Sequence, residues 1–173
     1  MMNSRLAALT CAGLLAIGGP ALADSTDVGI VGATGANIGR ATLTEAPTGV
    51  VLRIEIGAGG LEPGWHGMHL HSVGDCSDTG TFKLSKGHVN FDGKEHGLLN
   101  EAGPDNADLP NIYADKTGAA HTEVFTTLVN LEGDRGLLDE DGSALVIHAN
   151  PDDFVTQPIG GAGGRVACGV IGG

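Results

Sequence analysis

The chain is 173 residues long and carries 9 lysines and arginines against 21 aspartates and glutamates, a formal net charge of −12. That length suits one domain with a core of adequate size, and a hydrophobic fraction of 41% excludes wholesale disorder. The acidic balance, with no basic stripe, argues against nucleic acid as a partner and suits a small or cationic ligand; no apolar run reaches the ~18–20 residues of a membrane span.

The first element in chain order is a targeting segment. Arg5 supplies a short positive region, Leu6 to Ile17 is almost wholly apolar, and Ala21-Leu22-Ala23 is a small-x-small cleavage site. Residues 1–23 therefore read as a cleavable secretory signal peptide and residues 24–173 as the mature domain. Cleavage before Asp24 leaves 8 basic residues against 21 acidic ones, a mature charge of −13. It also removes Cys11, so that Cys76 and Cys168 remain, 92 positions apart. Two cysteines allow one intramolecular pairing, which an oxidising compartment permits; free thiols or an intermolecular bridge are the alternatives. An intramolecular bridge would close most of the mature chain, a constraint on the order of 4–5 kcal/mol in the chain-entropy account.

The mature chain reads as strands. Asn37 to Thr44 and Gly49 to Ile56 flank a turn at Glu45-Ala46-Pro47-Thr48. Leu52, Ile54 and Ile56 alternate with Arg53 and Glu55, the period of two expected of a half-buried antiparallel strand. Met68 to His71 alternates again, with both histidines on one face. His121 to Leu131, Ala144 to His148 and Arg165 to Ile171 complete the set, each bounded by Gly, Asp, Asn or Pro. Two long stretches, Gly74 to Ala119 and Asn150 to Gly164, carry few strand signals. Loops of that length are uncommon unless functional or clamped, and a disulfide or a metal could supply the order. The 30 glycines follow no Gly-X-Y period, which excludes collagen and suits short strands joined by turns. The architecture that fits is all-β, a sandwich or flattened barrel with two large loops.

Six of the seven histidines fall in patterns suited to a metal; His121 stands alone and reads as an ordinary surface residue. His69-x-His71 on a strand puts two imidazoles on one face, close enough to share an ion, and imidazole suits Cu, Zn, Fe and Ni. His88 and His96 sit in a polar loop, Asp108 adds an oxygen donor, and His148 ends an apolar strand that could set it over the same face. Taken as residues alone, this set points to a bound transition metal and no further.

The segment Gly64-Trp65-His66-Gly67-Met68-His69-Leu70-His71 resembles the G-x-H-G-x-H-x-H signature of the Cu,Zn superoxide dismutases. Gly74-Asp75-Cys76 is similar to the exported bacterial form of that family, and Gly87-His88-Val89-Asn90 to its bridging-histidine segment. Asp108-Leu109-Pro110-Asn111 resembles the end of its zinc loop, and Gly164 to Gly172 its C-terminal signature. The resemblance covers essentially the whole mature chain and implies a Greek-key, immunoglobulin-like β-sandwich. It implies copper held by His69, His71, His88 and His148, with His88 also bridging to zinc, and zinc held by His96 and Asp108. Arg165 would draw in the superoxide anion, with Lys83 and Lys86 as further candidates for steering; superoxide dismutase is itself a standard example of such steering. Asp152 would link His69 and His96 through their outer nitrogens and fix their orientation. Cys76 and Cys168 would form a disulfide that pins a loop to the barrel, and His66 would be structural. The implied reaction is the disproportionation of superoxide to oxygen and hydrogen peroxide, in the periplasm, with neither nucleic acid nor membrane as partner. Exported members are often homodimers, but the sequence itself marks no interface patch and leaves monomer and dimer both open.

One position departs from the family. A third zinc histidine usually follows nine residues after the one matching His96, and here that position is Asp105. Aspartate can ligate zinc, and its carboxylate oxygen lies as many bonds from Cβ as a histidine Nδ1, so Asp105 is expected as the fourth zinc ligand. The alternative is a solvated loop carboxylate beside a weak or empty zinc site, which would leave a copper-only enzyme. A copper carrier without turnover needs neither the anion guide Arg165 nor the bridge His88. A purely structural disulfide domain leaves the histidines unexplained.

Overall fold

The structure is a computed structural model, and it describes residues 24–173; the signal-peptide reading and Cys11 lie outside the described residues. Nine strands form in chain order: β1 (Ser25–Gly32), β2 (Asn37–Ala46), β3 (Gly49–Ile56), β4 (Gly64–His66), β5 (Met68–His71), β6 (Ile112–Ala114), β7 (Ala120–Thr126), β8 (Ser143–His148) and β9 (Arg165–Ile171). Seven of them make one antiparallel sheet in the order β5-β8-β9-β1-β2-β3-β7, curled into an open half-barrel, and β4 pairs with β6 beside it. The chain leaves β3 at one side of the sheet, enters β5 at its far edge and returns to β7 beside β3. This crossing gives the Greek-key connectivity of the expected all-β class.

The alternation read in β3 is the observed one: Leu52, Ile54 and Ile56 are fully buried, while Arg53 is exposed. They join Val28, Ile30, Leu43, Met68, Leu70, Leu145 and Ile147 in one apolar core. Burying a side chain of this size contributes about 1.5–3 kcal/mol. The β2–β3 turn is tighter than the sequence suggested, because Ala46 pairs with Gly49 and leaves only Pro47 and Thr48 outside the ladder. β7 stops at Thr126, short of the expected Leu131. Val129 and Leu131 are buried all the same, as loop residues that plug the core. β1, β4 and β6 were not expected.

The edge strand β5 positions the site. Met68 and Leu70 face the core, so His69 and His71 face the other way, as the period of two requires. The edge of β5 that β8 does not pair is covered by the long loop between β5 and β6. Leu70 donates its N–H to Ala107 at 3.1 Å and accepts from Val89 at 2.9 Å, and Ser72 donates to Gly87 at 2.9 Å. These bonds satisfy an edge that would otherwise be left open, and they carry His88 and Asp108 opposite His71 and His69.

Cys76 and Cys168 are joined in a disulfide with 5.8 Å between their Cα atoms. It packs with Phe82, Ala144 and Val146 on the outer side of β8 and β9. Because the bridge closes a loop of 92 positions, the Cys76→Ala/Cys168→Ala double variant should lose at least about 2 kcal/mol of stability. Urea unfolding of the two proteins checks this; coincident midpoints would contradict it.

Candidate metal centre

Strands β5, β8 and β9 lie side by side and supply His69, His71, His148 and Arg165, with His148 paired directly with Arg165 across the ladder. The loop over the edge of β5 brings His88, His96, Asp105 and Asp108. The loop from β8 to β9 brings Asp152. All of these residues except His88 and Arg165 are buried.

Each of four rings has one nitrogen tied to an oxygen and the other bare. His71 Nδ1 donates to the Lys86 carbonyl at 2.9 Å, and His148 Nδ1 to the Gly163 carbonyl at 3.1 Å. His69 Nε2 donates to Asp152 Oδ2 at 2.8 Å, and His88 Nδ1 lies 2.8 Å from Asp105 Oδ2. The remaining atoms, His69 Nδ1 and the Nε2 of His71, His88 and His148, are buried and have no hydrogen-bond partner. A carbonyl or carboxylate only accepts, so each tied nitrogen carries the proton and its opposite number presents a lone pair. The rings converge: the centroids of His69 and His88 are 4.3 Å apart and those of His69 and His148 4.9 Å. The donor atoms of His69, His71 and His148 lie within 4.8 Å of one another.

Burial keeps the rings of His69, His71 and His148 neutral. Burial, and then the Arg165 guanidinium, push His71 down to about 2. Burial, and then His69, hold His148 at about 4, and His69 is lowered chiefly by burial. Neutral imidazole is the ligating form, so the set fits a borderline-soft ion such as copper.

The second cluster mixes nitrogen and oxygen. His88, His96, Asp105 and Asp108 bring donor atoms within 4.8 Å of one another. His96 Nδ1 sits 2.5 Å from Asp108 Oδ1, and its Nε2 3.2 Å from Asp152 Oδ1. Both ring nitrogens thus face carboxylates, an arrangement that calls for a cation between His96 and Asp108. Two imidazoles and two carboxylates are a four-donor set that suits zinc. The spare oxygens are fixed: Asp108 Oδ2 accepts from Gly97 at 2.7 Å and Asp105 at 3.0 Å, and Asp105 Oδ1 accepts from Ala107 at 2.9 Å. Asp105 is 4% exposed and is therefore not a solvated carboxylate.

Asp152 ties the two clusters together. Burial opposes its ionisation, yet His69, the Phe154 amide and His96 hold its carboxyl below the usual range. Gly160 makes room for it, since a Cβ there would fall 1.6 Å from Asp152 Oδ1.

A cleft of about 530 Å³ opens onto both clusters, lined by His71, His88, Lys94, Asp105, Gln157 and Arg165 among others. Arg165 is held by three oxygens, at 2.6 Å from Phe82, 3.2 Å from Ser85 Oγ and 2.6 Å from Lys86. Burial lowers its pKa, but a guanidinium stays charged at any physiological pH.

The chain matches the copper/zinc superoxide dismutase (SODC) family over residues 37–171. The chain belongs to the copper/zinc superoxide dismutase family. It is 54% identical over 141 residues to "Superoxide dismutase [Cu-Zn]" of Caulobacter vibrioides, covering 79% of each chain. It is 44% identical over 145 residues to "Superoxide dismutase [Cu-Zn] 2" of Aquifex aeolicus, covering 82% of this chain and 83% of that one. Among solved structures it is similar to a double mutant of a SOD-like protein from Bacillus subtilis. The TM-score is 0.80 at 33% identity, over 85% of this chain and 97% of the other. The chain is thus an oxidoreductase of the superoxide dismutase type, with His and Asp clusters suited to the copper and zinc of that family.

Sequence reasoning named Lys83 and Lys86 as steering cations, but neither side chain lines the cleft; Lys94 does. Lys86 contributes its carbonyl instead, to both His71 and Arg165. Gln157, also unforeseen, clamps the backbone of His96: its Nε2 donates to the His96 carbonyl at 2.7 Å and its Oε1 accepts the His96 N–H at 3.2 Å. His66 donates to none of the metal clusters and bridges the His148 and Glu62 carbonyls, while His121 lies on β7, outside both clusters.

The lowered histidines have a consequence for the metal-free protein. His148 titrates at about 4 in the fold and near 6.5 unfolded, so the unfolded chain binds more protons between those values and stability is lost as the pH drops through that range. The contribution is complete above about pH 6.5, and on the order of 3 kcal/mol is lost by about pH 4 from this ring alone. Urea midpoints of the chelator-treated protein, measured across that range, check this; a flat profile would contradict it.

Proposed function

We propose that the mature domain, residues 24–173, disproportionates superoxide to oxygen and hydrogen peroxide. The observation that carries this reading is a set of four bare, buried ring nitrogens beside a cleft lined by Arg165: those of His69, His71 and His148 lie within 4.8 Å of one another, and that of His88 belongs to the ring 4.3 Å from His69. His69 Nδ1 and the Nε2 atoms of His71, His88 and His148 would hold copper. Nδ1 of His88 and of His96, with Asp105 and Asp108, would hold zinc, and Asp152 would orient His69 and His96 from behind. Copper supplies one-electron chemistry by alternating between two oxidation states, and zinc has no redox role.

The chain's own residues do the rest. Arg165 offers the only arginine among the cleft residues, and with Lys94 it provides the local positive field that an acidic protein needs to attract an anion. The three oxygens that hold the guanidinium fix where that field points. His88 is the ring that faces both clusters. With its Nδ1 engaged by Asp105 or zinc, Nε2 is the atom at which a proton can be held beside the bound anion and handed over as peroxide forms. Two superoxide ions and two protons give one oxygen and one hydrogen peroxide, so each cycle needs two protons, one held at such a point and one drawn from solvent.

Export fits the same reading. Residues 1–23 have the charge and hydropathy pattern of a cleavable signal. The disulfide between Cys76 and Cys168 suits an oxidising compartment such as the periplasm.

Replacing His148 by alanine should abolish turnover while the disulfide and the circular-dichroism spectrum persist; undiminished superoxide consumption would remove the copper assignment. Arg165→Ala should slow kcat/KM by about tenfold at low ionic strength and flatten its decline with added salt. An unchanged rate and salt slope would contradict the guiding role.

A further inference from the structure

The carboxylate at position 105 stands where the family ordinarily has a histidine, and it makes a contact that a neutral ring would not make equally well. Asp105 Oδ2 lies 2.8 Å from His88 Nδ1, at a residue 4% exposed. Its other oxygen is fixed by the Ala107 amide at 2.9 Å, and its own amide bonds Asp108 Oδ2 at 3.0 Å, so the carboxylate cannot turn away. His88 Nε2, at the far side of the same ring, is buried and unpartnered. A carboxylate accepts only. In the neutral form of the ring the proton is therefore on Nδ1 and the lone pair on Nε2, with the His69 and His71 rings 4.3 and 5.4 Å away between centroids.

We infer that Asp105 has a second task besides zinc: it is the positioning residue that holds His88 in the copper-ready tautomer before zinc binds. This inference rests on the copper reading above. The other three rings receive the same service from oxygens outside the zinc cluster, namely the Lys86 and Gly163 carbonyls and Asp152. Only His88 relies on a zinc-cluster residue to set its tautomer. With a histidine at position 105, a zinc-free site would present His88 with a weaker, neutral acceptor. With aspartate, the proton on Nδ1 and the ion occupy the same gap in turn, and zinc loading releases that proton to solvent. The copper half of the centre is therefore complete without zinc.

The test separates the hydrogen bond from zinc ligation. In the metal-free mature protein with 15N-labelled histidine, two-bond nitrogen–proton correlation reads the tautomer of each ring, with His88 assigned by its loss in His88→Gln. Wild type should show His88 protonated on Nδ1 with Nε2 bare. Asp105→Ala should mix the two tautomers, and Asp105→Asn, whose single oxygen is claimed by the Ala107 amide so that its NH2 faces the ring, should move the proton to Nε2. In parallel, Cu(II) affinity of zinc-free protein is measured against a competing chelator. Asp105→Ala should weaken it by about tenfold or more, the usual effect of losing a residue that orients a ligand, and Asp105→Asn should weaken it at least as much. A wild-type tautomer and copper affinity in Asp105→Ala would overturn the inference, as would Asp105→Asn keeping the proton on Nδ1. Failure of the copper reading looks different: His88→Gln would then bind Cu(II) as tightly as wild type. The tautomer measurement involves no metal and decides the role of Asp105 by itself.

Discussion

Four imidazole nitrogens buried without a partner are the constraint around which the domain is built. A buried polar atom left without a hydrogen bond costs about 1–3 kcal/mol, and the chain accepts this cost four times within one small region. Until a metal binds, such a region is not stabilised from inside. It has to be imposed by the β5-β8-β9 ladder beneath it and by the loops above it. The ladder is well suited to this, because Met68, Leu70, Leu145 and Ile147 are fully committed to the apolar core and fix the register of the histidines beside them.

The loops are ordered by a chain of contacts that ends at the same rings. Asp152 receives His69 and His96 on its two oxygens, exchanges hydrogen bonds with Asn111 and is capped by the Phe154 amide. On the other side, the disulfide anchors the segment whose carbonyls hold Arg165. Two residues of that segment, Phe82 and Lys86, have positive φ (49° and 63°) despite carrying full side chains. These are the residues whose carbonyls grip the guanidinium. Backbone strain of this kind, of order 1–3 kcal/mol per residue, persists only where the surroundings over-determine it. Here it aims two carbonyls at one cation.

Much of this was legible in the sequence, for identifiable reasons. The His69-x-His71 spacing has the period of a strand, and the alternation in β3 is carried by large side chains, so both survive in the fold unchanged. The motif resemblance extended that reading to His88, His96, Asp108 and Arg165, which no periodicity connects. β1 was missed because Gly29 and Gly32 dilute its alternation of Val28 and Ile30; β4 and β6 are three residues each, too short for a period to show. The extent of β7 was overestimated because Val129 and Leu131 are apolar for a loop's sake, filling the core end without joining a ladder. What sets the histidine tautomers could not be read at all. Backbone carbonyls do this for His71 and His148, and every residue has one. The position of Lys94 in the cleft, rather than Lys83 or Lys86, depends on the path of a loop held by the Asn90 side-chain amide, which donates to the Lys94 carbonyl and accepts the Lys94 N–H.

The central claim is that this cluster of bare nitrogens is a redox copper site paired with a zinc site. Elemental analysis of the purified mature protein, with superoxide consumption followed on the same sample before and after copper is removed and restored, tests it most directly. Stoichiometric copper and zinc are expected, with activity that disappears with the copper and returns with copper but not with zinc alone. Activity that survives complete copper removal, or a mature protein that takes up no copper, would contradict it.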